Sequence, residues 1–172
     1  KLVNEENFNY KTKSDCEVIG HMYLKYGIKK TLDNLDGVFS FVLYDVKKDI
    51  VYVARDPLGI RSLFIGKNSN NEFGFCSEMK GLMFCDEISQ FPPGCYWSNN
   101  EPSNYKPYYN FNYSIDEDNV DDIEHKLNNL FTDAVKKRLM SDRPVGCLLS
   151  GGLDSSLTAA IVKRYYGMIN TY

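Results

Sequence analysis

No apolar run in this sequence reaches the ~18 residues that a helix needs to cross a bilayer, which argues against a membrane-spanning protein. There is no strongly basic stretch either. The net charge is -3, and no cationic face is gathered that would hold nucleic acid. The five cysteines, Cys16, Cys76, Cys85, Cys95 and Cys147, are odd in number, irregularly spaced and without a CxxC pair. That pattern favours buried, reduced thiols in a cytoplasmic protein over a zinc or disulfide framework. Histidine is scarce: His21 and His125 stand alone in helical stretches, as surface or core residues do. A Walker A loop, GxxxxGK[ST], is absent. So are a signal peptide and an initial Met, and with Lys1 first the natural N-terminus is expected upstream. What remains is ample for a core, since 43% of the 172 residues are apolar and 14% aromatic, enough for one large or two small domains.

The residues that are present are patterned. Ser14 and Glu17 have capping-box spacing. Cys16, Ile19, Tyr23 and Tyr26 then recur on one helical face up to a stop at Gly27. Residues 37–45 alternate with apolar side chains on both faces, Phe39, Phe41 and Leu43 against Val38, Val42 and Tyr44, predicting a strand covered on both sides. Lys47-Lys48 turns it into a second strand. Shorter strands are expected over 62–66, 73–76 and 95–97, with a short helix after Ser77. "RDPLGIR", residues 55–61, reads as a tight turn with Arg55 and Asp56 as a buried ion pair. Residues 101–118 lose all period and read as a linker.

Beyond it, Ile123, Leu127, Leu130, Phe131 and Ala134 form a helical stripe, and Lys136-Lys137-Arg138 is a solvated run. "VGCLLS" is a short buried strand, and Leu157, Ala160, Ile161 and Tyr165 mark a further helix. Strand, turn and helix open an α/β domain with a parallel sheet. One strand and two helices cannot bury such a sheet, so this second domain is expected to be cut short.

The chemistry concentrates in "LLSGGLDSS", residues 148–156. Glycines after a strand bring backbone N–H groups close to an anion, and the next helix aims its unsatisfied N–H groups at the same point. Ser150, Ser155 and Ser156 add donors. Asp154 would repel phosphate by itself, and its presence makes sense where Mg²⁺ joins it to the phosphates. The bland alternative is a plain glycine turn with Asp154 as a helix cap; the full S-G-G-x-D-S-S after an apolar strand favours phosphate.

"SGGLDSS" resembles the pyrophosphate loop of the ATP pyrophosphatases. "SDCEVI" (14–19), "LDGVFSFVLYD" (35–45), "ARDPLGIRSLFIG" (54–66), "SEMKGL" (77–82), "FPPGCYW" (91–97) and "LMSDRPVGCLLSGGLDSS" (139–156) occur in the order found in glutamine-hydrolysing asparagine synthetases. The resemblance covers nearly the whole chain. It implies an α+β then α/β architecture. Residues 1–100 would be the C-terminal part of an αββα glutaminase of Ntn-hydrolase type, incomplete here. Residues 101–118 would be a linker, and 119–172 the beginning of a parallel-sheet ATP pyrophosphatase domain. It implies ammonia from glutamine, ATP as substrate, an aspartyl-adenylate, and release of AMP and pyrophosphate, with Mg²⁺ as the metal. Glutamine, aspartate and ATP would be the partners, and a homodimer is compatible with the family.

By the same resemblance Asp15 holds the α-amino group of glutamine. Leu148 touches adenine through its backbone, with its side chain in the core. Ser150, Gly151, Gly152, Asp154, Ser155 and Ser156 cradle pyrophosphate, and Asp154 is the Mg²⁺ ligand. Ser77-Glu78 caps a helix near the glutamine site. The family's glutaminase nucleophile is an N-terminal cysteine whose free amine acts as base. Residue 1 here is Lys, and Cys16 lies on an apolar helix side with no amine beside it. The expectation is that these 172 residues contain no catalytic residue and have no turnover alone. A β-lactam synthetase-like ligase and a non-catalytic nucleotide-binding remnant are the alternatives.

Overall fold

The computed structural model describes residues 8–12, 14–111, 120–141 and 143–172. The chain divides into two units, Lys1–Asn112 and Tyr113–Tyr172. The first is built on two antiparallel sheets. Strands β1 (Ser40–Asp45), β2 (Ile50–Arg55), β6 (Cys95–Ser98) and β7 (Lys106–Pro107) pair in the order β1-β2-β6-β7. Strands β3 (Phe64–Lys67), β4 (Phe73–Cys76) and β5 (Glu87–Gln90) pair in the order β4-β3-β5. Val53 and Trp97 from one sheet meet Ile65, Phe73 and Phe75 from the other, with Leu63 and Phe91 between them. Phe91 is fully buried and Trp97 nearly so. Burying each such side chain contributes roughly 1.5–3 kcal/mol.

Helix α1 (Glu17–Asn34) lies on the outer face of the four-stranded sheet. Tyr23 donates to Asp45 at 2.6 Å, and its ring lies 5.5 Å from Tyr52. Period two explains the split, since Val51 and Val53 point to the other sheet and Tyr52 to the helix. Burial and the Asp45 carboxylate both push the Tyr23 hydroxyl far above the usual tyrosine range. Gly27 is not a stop: it takes φ 79° and ψ 171°, the axis kinks, and helix resumes to Asn34. The buried face is Met22, Tyr23, Thr31 and Leu32.

On the outer face of the three-stranded sheet sits a 3-10 turn, Met79–Leu82. Gly66 and Gly74 face each other across β3 and β4. A Cβ on Gly66 would meet Cys85 Sγ at 2.5 Å, and one on Gly74 would meet Leu82 Cδ2 at 2.8 Å. The pair of glycines therefore makes the seat for Leu82 and Cys85. The layers run helix, sheet, sheet, 3-10 turn.

Several expectations change here. The strand expected over 37–45 is covered on one side only: Val42 and Tyr44 are 53% and 54% exposed. β1 is an edge strand, and α1 reaches the sheet through Tyr23, Asp45 and Tyr52. Arg55 and Asp56 are both buried but are not paired to each other. The guanidinium donates to the carbonyls of Gly59, Arg61 and Phe91 at 2.6–2.8 Å. The Asp56 carboxylate accepts the N–H groups of Leu58, Ile60 and Arg61 at 2.9–3.2 Å. Each side chain satisfies loop backbone that would otherwise be buried unpaired. The stretch expected to be a linker from residue 101 is tied down as far as 111. Lys106–Pro107 pairs with β6, the Trp97 indole donates to Pro102 O, and the Tyr108 hydroxyl donates to Arg55 O. The remainder, 112–118, lies outside the described residues.

The second unit contains α2 (Val120–Arg138), β8 (Gly146–Cys147), α3 (Leu153–Tyr166) and β9 (Asn170–Thr171). β8 and β9 are parallel. The core is Val135, Cys147, Ala159 and Val162, with Phe131 and Leu139 against it. The apolar stripes read from the sequence are mostly on the open side: Leu127, Leu130 and Leu157 are exposed. Among the described residues, no helix is long and apolar enough to cross a membrane. All five cysteines are free, but only Cys147 is buried, and Cys16 is exposed at the N-cap of α1 rather than in an apolar face.

Candidate functional site

In the second unit the strand expected over 145–150 shrinks to two residues, and Leu148 is 81% exposed instead of being core. Among the described residues β8 pairs with β9 alone. The chain is held there by Tyr172: Tyr172 N–H donates to Cys147 O, and Leu149 N–H donates to Tyr172 O. It then bends at Gly151, where φ is +81° and a Cβ would find nothing within 4 Å. Gly151 is therefore required by conformation and not by crowding, and the bend is open to solvent.

Gly152 is the N-cap of α3, with no side-chain cap bond. The first backbone bond of the helix is Ser156 N–H to Gly152 O at 3.1 Å. The N–H groups of residues 153–155 accordingly have no carbonyl of their own helix. The Ser150 and Ser155 hydroxyls are 3.0 Å apart, and Ser155 also donates to Gly152 O at 3.1 Å. That clasp ties the two limbs of the bend together. Asp154 is exposed on the first turn of the helix. Free N–H groups, a positive helix end and hydroxyls in one open bend suit a phosphate chain.

A cavity of about 650 Å³ adjoins the bend and has Leu148, Asp154 and Ser155 in its wall, together with Val135, Arg138 and Val162. Ser150, Gly151, Gly152 and Ser156 are outside that wall. Among the described residues no group of three His, Cys, Asp or Glu could hold a metal by itself. Asp154 alone fits Mg²⁺ in its usual manner, with one carboxylate plus the oxygens of a phosphate ligand and water.

In the first unit Asp15 lies in the turn just before α1 and is exposed. Among the described residues its carboxylate accepts a weak contact from Cys16 Sγ at 3.6 Å. The capping box does not form. Ser14 Oγ accepts from Cys16 N–H at 3.3 Å, while Glu17 turns backward onto Lys11 and Thr12. Sequence reasoning took Glu17 as a helix cap and passed over Thr12; their spacing carries no signal that distinguishes the two roles. Ser77 and Glu78 precede the 3-10 turn, whose N-cap Glu78 makes no side-chain cap bond.

A glutamine amidotransferase domain family matches residues 1–91, and an asparagine synthase family matches residues 126–172. Asparagine synthetase [glutamine-hydrolyzing] 1 of Arabidopsis thaliana is 44% identical over 164 residues, covering 93% of this chain and 27% of that protein. Asparagine synthetase B of Escherichia coli (strain K12) is 43% identical over 165 residues, with 93% and 29% covered. The asparagine synthetase of Asparagus officinalis is 45% identical over 160 residues, with 91% and 26% covered. The chain thus spans little more than a quarter of the length of these relatives. Among solved structures, the glutamine PRPP amidotransferase of B. subtilis superposes with a TM-score of 0.55 at 20% identity, covering 99% of this chain and 41% of that one. The allosteric regulatory enzyme of purine biosynthesis gives 0.55 at 23%, with 99% and 40% covered. At that identity the likeness establishes a shared fold and nothing further.

Proposed function

The chain belongs to the glutamine amidotransferase domain family, and from that membership we propose that it serves a glutamine-hydrolysing asparagine synthetase. Residues 1–100 belong to the glutaminase part, and residues 119–172 open the ATP-binding part. The observation that carries this reading is the bend at 148–156, where an open Gly151, the N–H groups of 153–155 and the serine clasp converge. A carboxylate is activated there by transfer to the AMP portion of ATP, and ammonia from glutamine displaces AMP.

This chain's own residues bind and orient. Gly151 and Gly152 admit the pyrophosphate portion to the backbone, and Ser150, Ser155 and Ser156 donate to its oxygens. The Leu148 backbone borders adenine, its exposed side chain being free to close over the base. Asp154 would hold Mg²⁺, which when bound neutralises charge on the phosphates. In the first unit Asp15 accepts the α-ammonium of glutamine, and its carboxylate is open for that purpose. Glutamine, aspartate and ATP are the small-molecule partners, the location is cytoplasmic, and the assembly is a homodimer.

Exchange of labelled pyrophosphate into ATP tests the reading in a protein of the relatives' full length that carries these residues. Exchange that depends on aspartate and is lost in Asp154→Ala is expected. Exchange that depends on a different carboxylate moves the assignment to another ligase, and no exchange with any carboxylate overturns it. Light scattering on the same protein tests the dimer.

A further inference from the structure

Two acids two residues apart have opposite surroundings. Asp15 is open, whereas Glu17 is saturated by donors of its own chain. Glu17 Oε1 accepts the Lys11 N–H at 2.7 Å, and Oε2 accepts the Thr12 N–H at 2.7 Å and the Thr12 hydroxyl at 2.5 Å. Thr12 Oγ1 then accepts the Ser14 N–H at 3.2 Å, and Ser14 Oγ accepts the Cys16 N–H at 3.3 Å. The Glu17 N–H returns to Ser14 O at 3.3 Å. The bonded path runs along both chain sides of Asp15 and leaves its carboxylate alone.

A second fixing lies one helical turn on. His21 Nε2 is 3.3 Å from Glu17 Oε1. Its ring stacks on Phe8 at 5.3 Å and meets Tyr10 edge-on at 5.3 Å, with Lys25 over the far ring. Residues 8–12 are a strap clipped to α1 by a carboxylate at one point and by aromatic rings at another. Three hydrogen bonds from residues 11 and 12 do nothing for the start of the helix, which has no side-chain cap. They fix where the turn sits. The donors also hold the Glu17 carboxyl down at about 2, so it stays ionised at any ordinary pH.

We propose that Glu17 is a positioning residue for glutamine: through Thr12 it fixes the turn from which Asp15 receives the substrate's α-ammonium. The inference rests on the reading of Asp15 given above. Loss of the clip lets the turn wander, and substrate binding weakens while the chemistry, carried by other groups, does not.

The test is made in a protein of the relatives' full length, with asparagine formation measured from glutamine and, separately, from ammonia. Glu17→Gln keeps shape but removes charge and one acceptor; Thr12→Val removes the relay hydroxyl; Thr12→Ser keeps it. The first two are expected to raise KM for glutamine about tenfold with kcat little changed, the signature of lost uniform binding. Thr12→Ser is expected to stay near wild type, and ammonia-dependent activity to be unmoved in all three. The inference is overturned if Asp15→Asn raises KM for glutamine while Glu17→Gln and Thr12→Val do not. It is equally overturned if kcat falls with ammonia as well as with glutamine, since that is a general folding effect. If Asp15→Asn leaves KM unchanged, the Asp15 reading has failed and the inference falls with it.

Discussion

Removing the Asp56 carboxylate probes the loop over 55–61 most directly. Asp56 is 1% exposed and accepts three backbone N–H groups, from Leu58, Ile60 and Arg61. Its own backbone is a node as well: its N–H donates to Phe39 O, and its carbonyl accepts from Gly59 and Gly94. A hydrogen bond to a charged group contributes about 1.5–3 kcal/mol net. Three cannot simply be added, because the loop relaxes and water enters, and single substitutions rarely exceed about 4–5 kcal/mol. Asp56→Ala is therefore expected to cost about 3–5 kcal/mol. Asp56→Asn is not benign, although its carbonyl can replace Oδ1 for Leu58 and Ile60. Its NH₂ would then face the Arg61 N–H, donor against donor, at a cost of about 1–3 kcal/mol. Trp97 is the one tryptophan in the chain and lies in the core of the first unit, so its fluorescence during urea unfolding reports that unit alone. A shift below about 1 kcal/mol for Asp56→Ala, or an Asn variant as stable as the parent, would refute the account of the loop as backbone held by buried ions.

Other outcomes follow from the same geometry. Gly66→Ala places a methyl 2.5 Å from Cys85 Sγ and 2.8 Å from its Cβ, so a loss of about 1–3 kcal/mol is expected in thermal unfolding, and Cys85→Gly in the same chain should recover part of it. Gly151→Ala meets no neighbour and should cost only the left-handed backbone, about 1–2 kcal/mol by the same melt, while weakening ATP more than that through blocked approach to the N–H groups. Glu17 has its carboxyl lowered from 4.5 to about 2. A depressed acid stabilises above its unfolded value and stops doing so as pH falls through the folded one. Protection of the Lys11 and Thr12 amides, measured against their intrinsic exchange rate at each pH, should thus persist at pH 5 and be lost between about pH 4.5 and 2. Protection already lost by pH 4 would contradict the clip.

Periodicity revealed which residues form elements, but not which face of an element is covered. Val51, Tyr52 and Val53 alternate as a strand must, and the structure assigns the odd positions to the opposing sheet and the even one to α1. Leu127 and Leu157 sit at good helical spacing yet are exposed, because Phe131, Val135, Ala159 and Val162 face the small core of the second unit. β5 escaped notice because Glu87–Gln90 is mostly polar and is a strand only through pairing with β3. The bend at 148–156 was legible because its geometry is local: glycine conformation, helix end and hydroxyls all lie within nine residues. The turn before α1 was harder to read for the opposite reason. Ser14 and Glu17 stand at capping-box spacing, but a competing set of donors at Lys11 and Thr12 was within reach of the same carboxylate, and three bonds there outweigh one at Ser14. A spacing rule counts only the partner it names. An acid two residues from a proposed ligand can instead be the group that holds that ligand still.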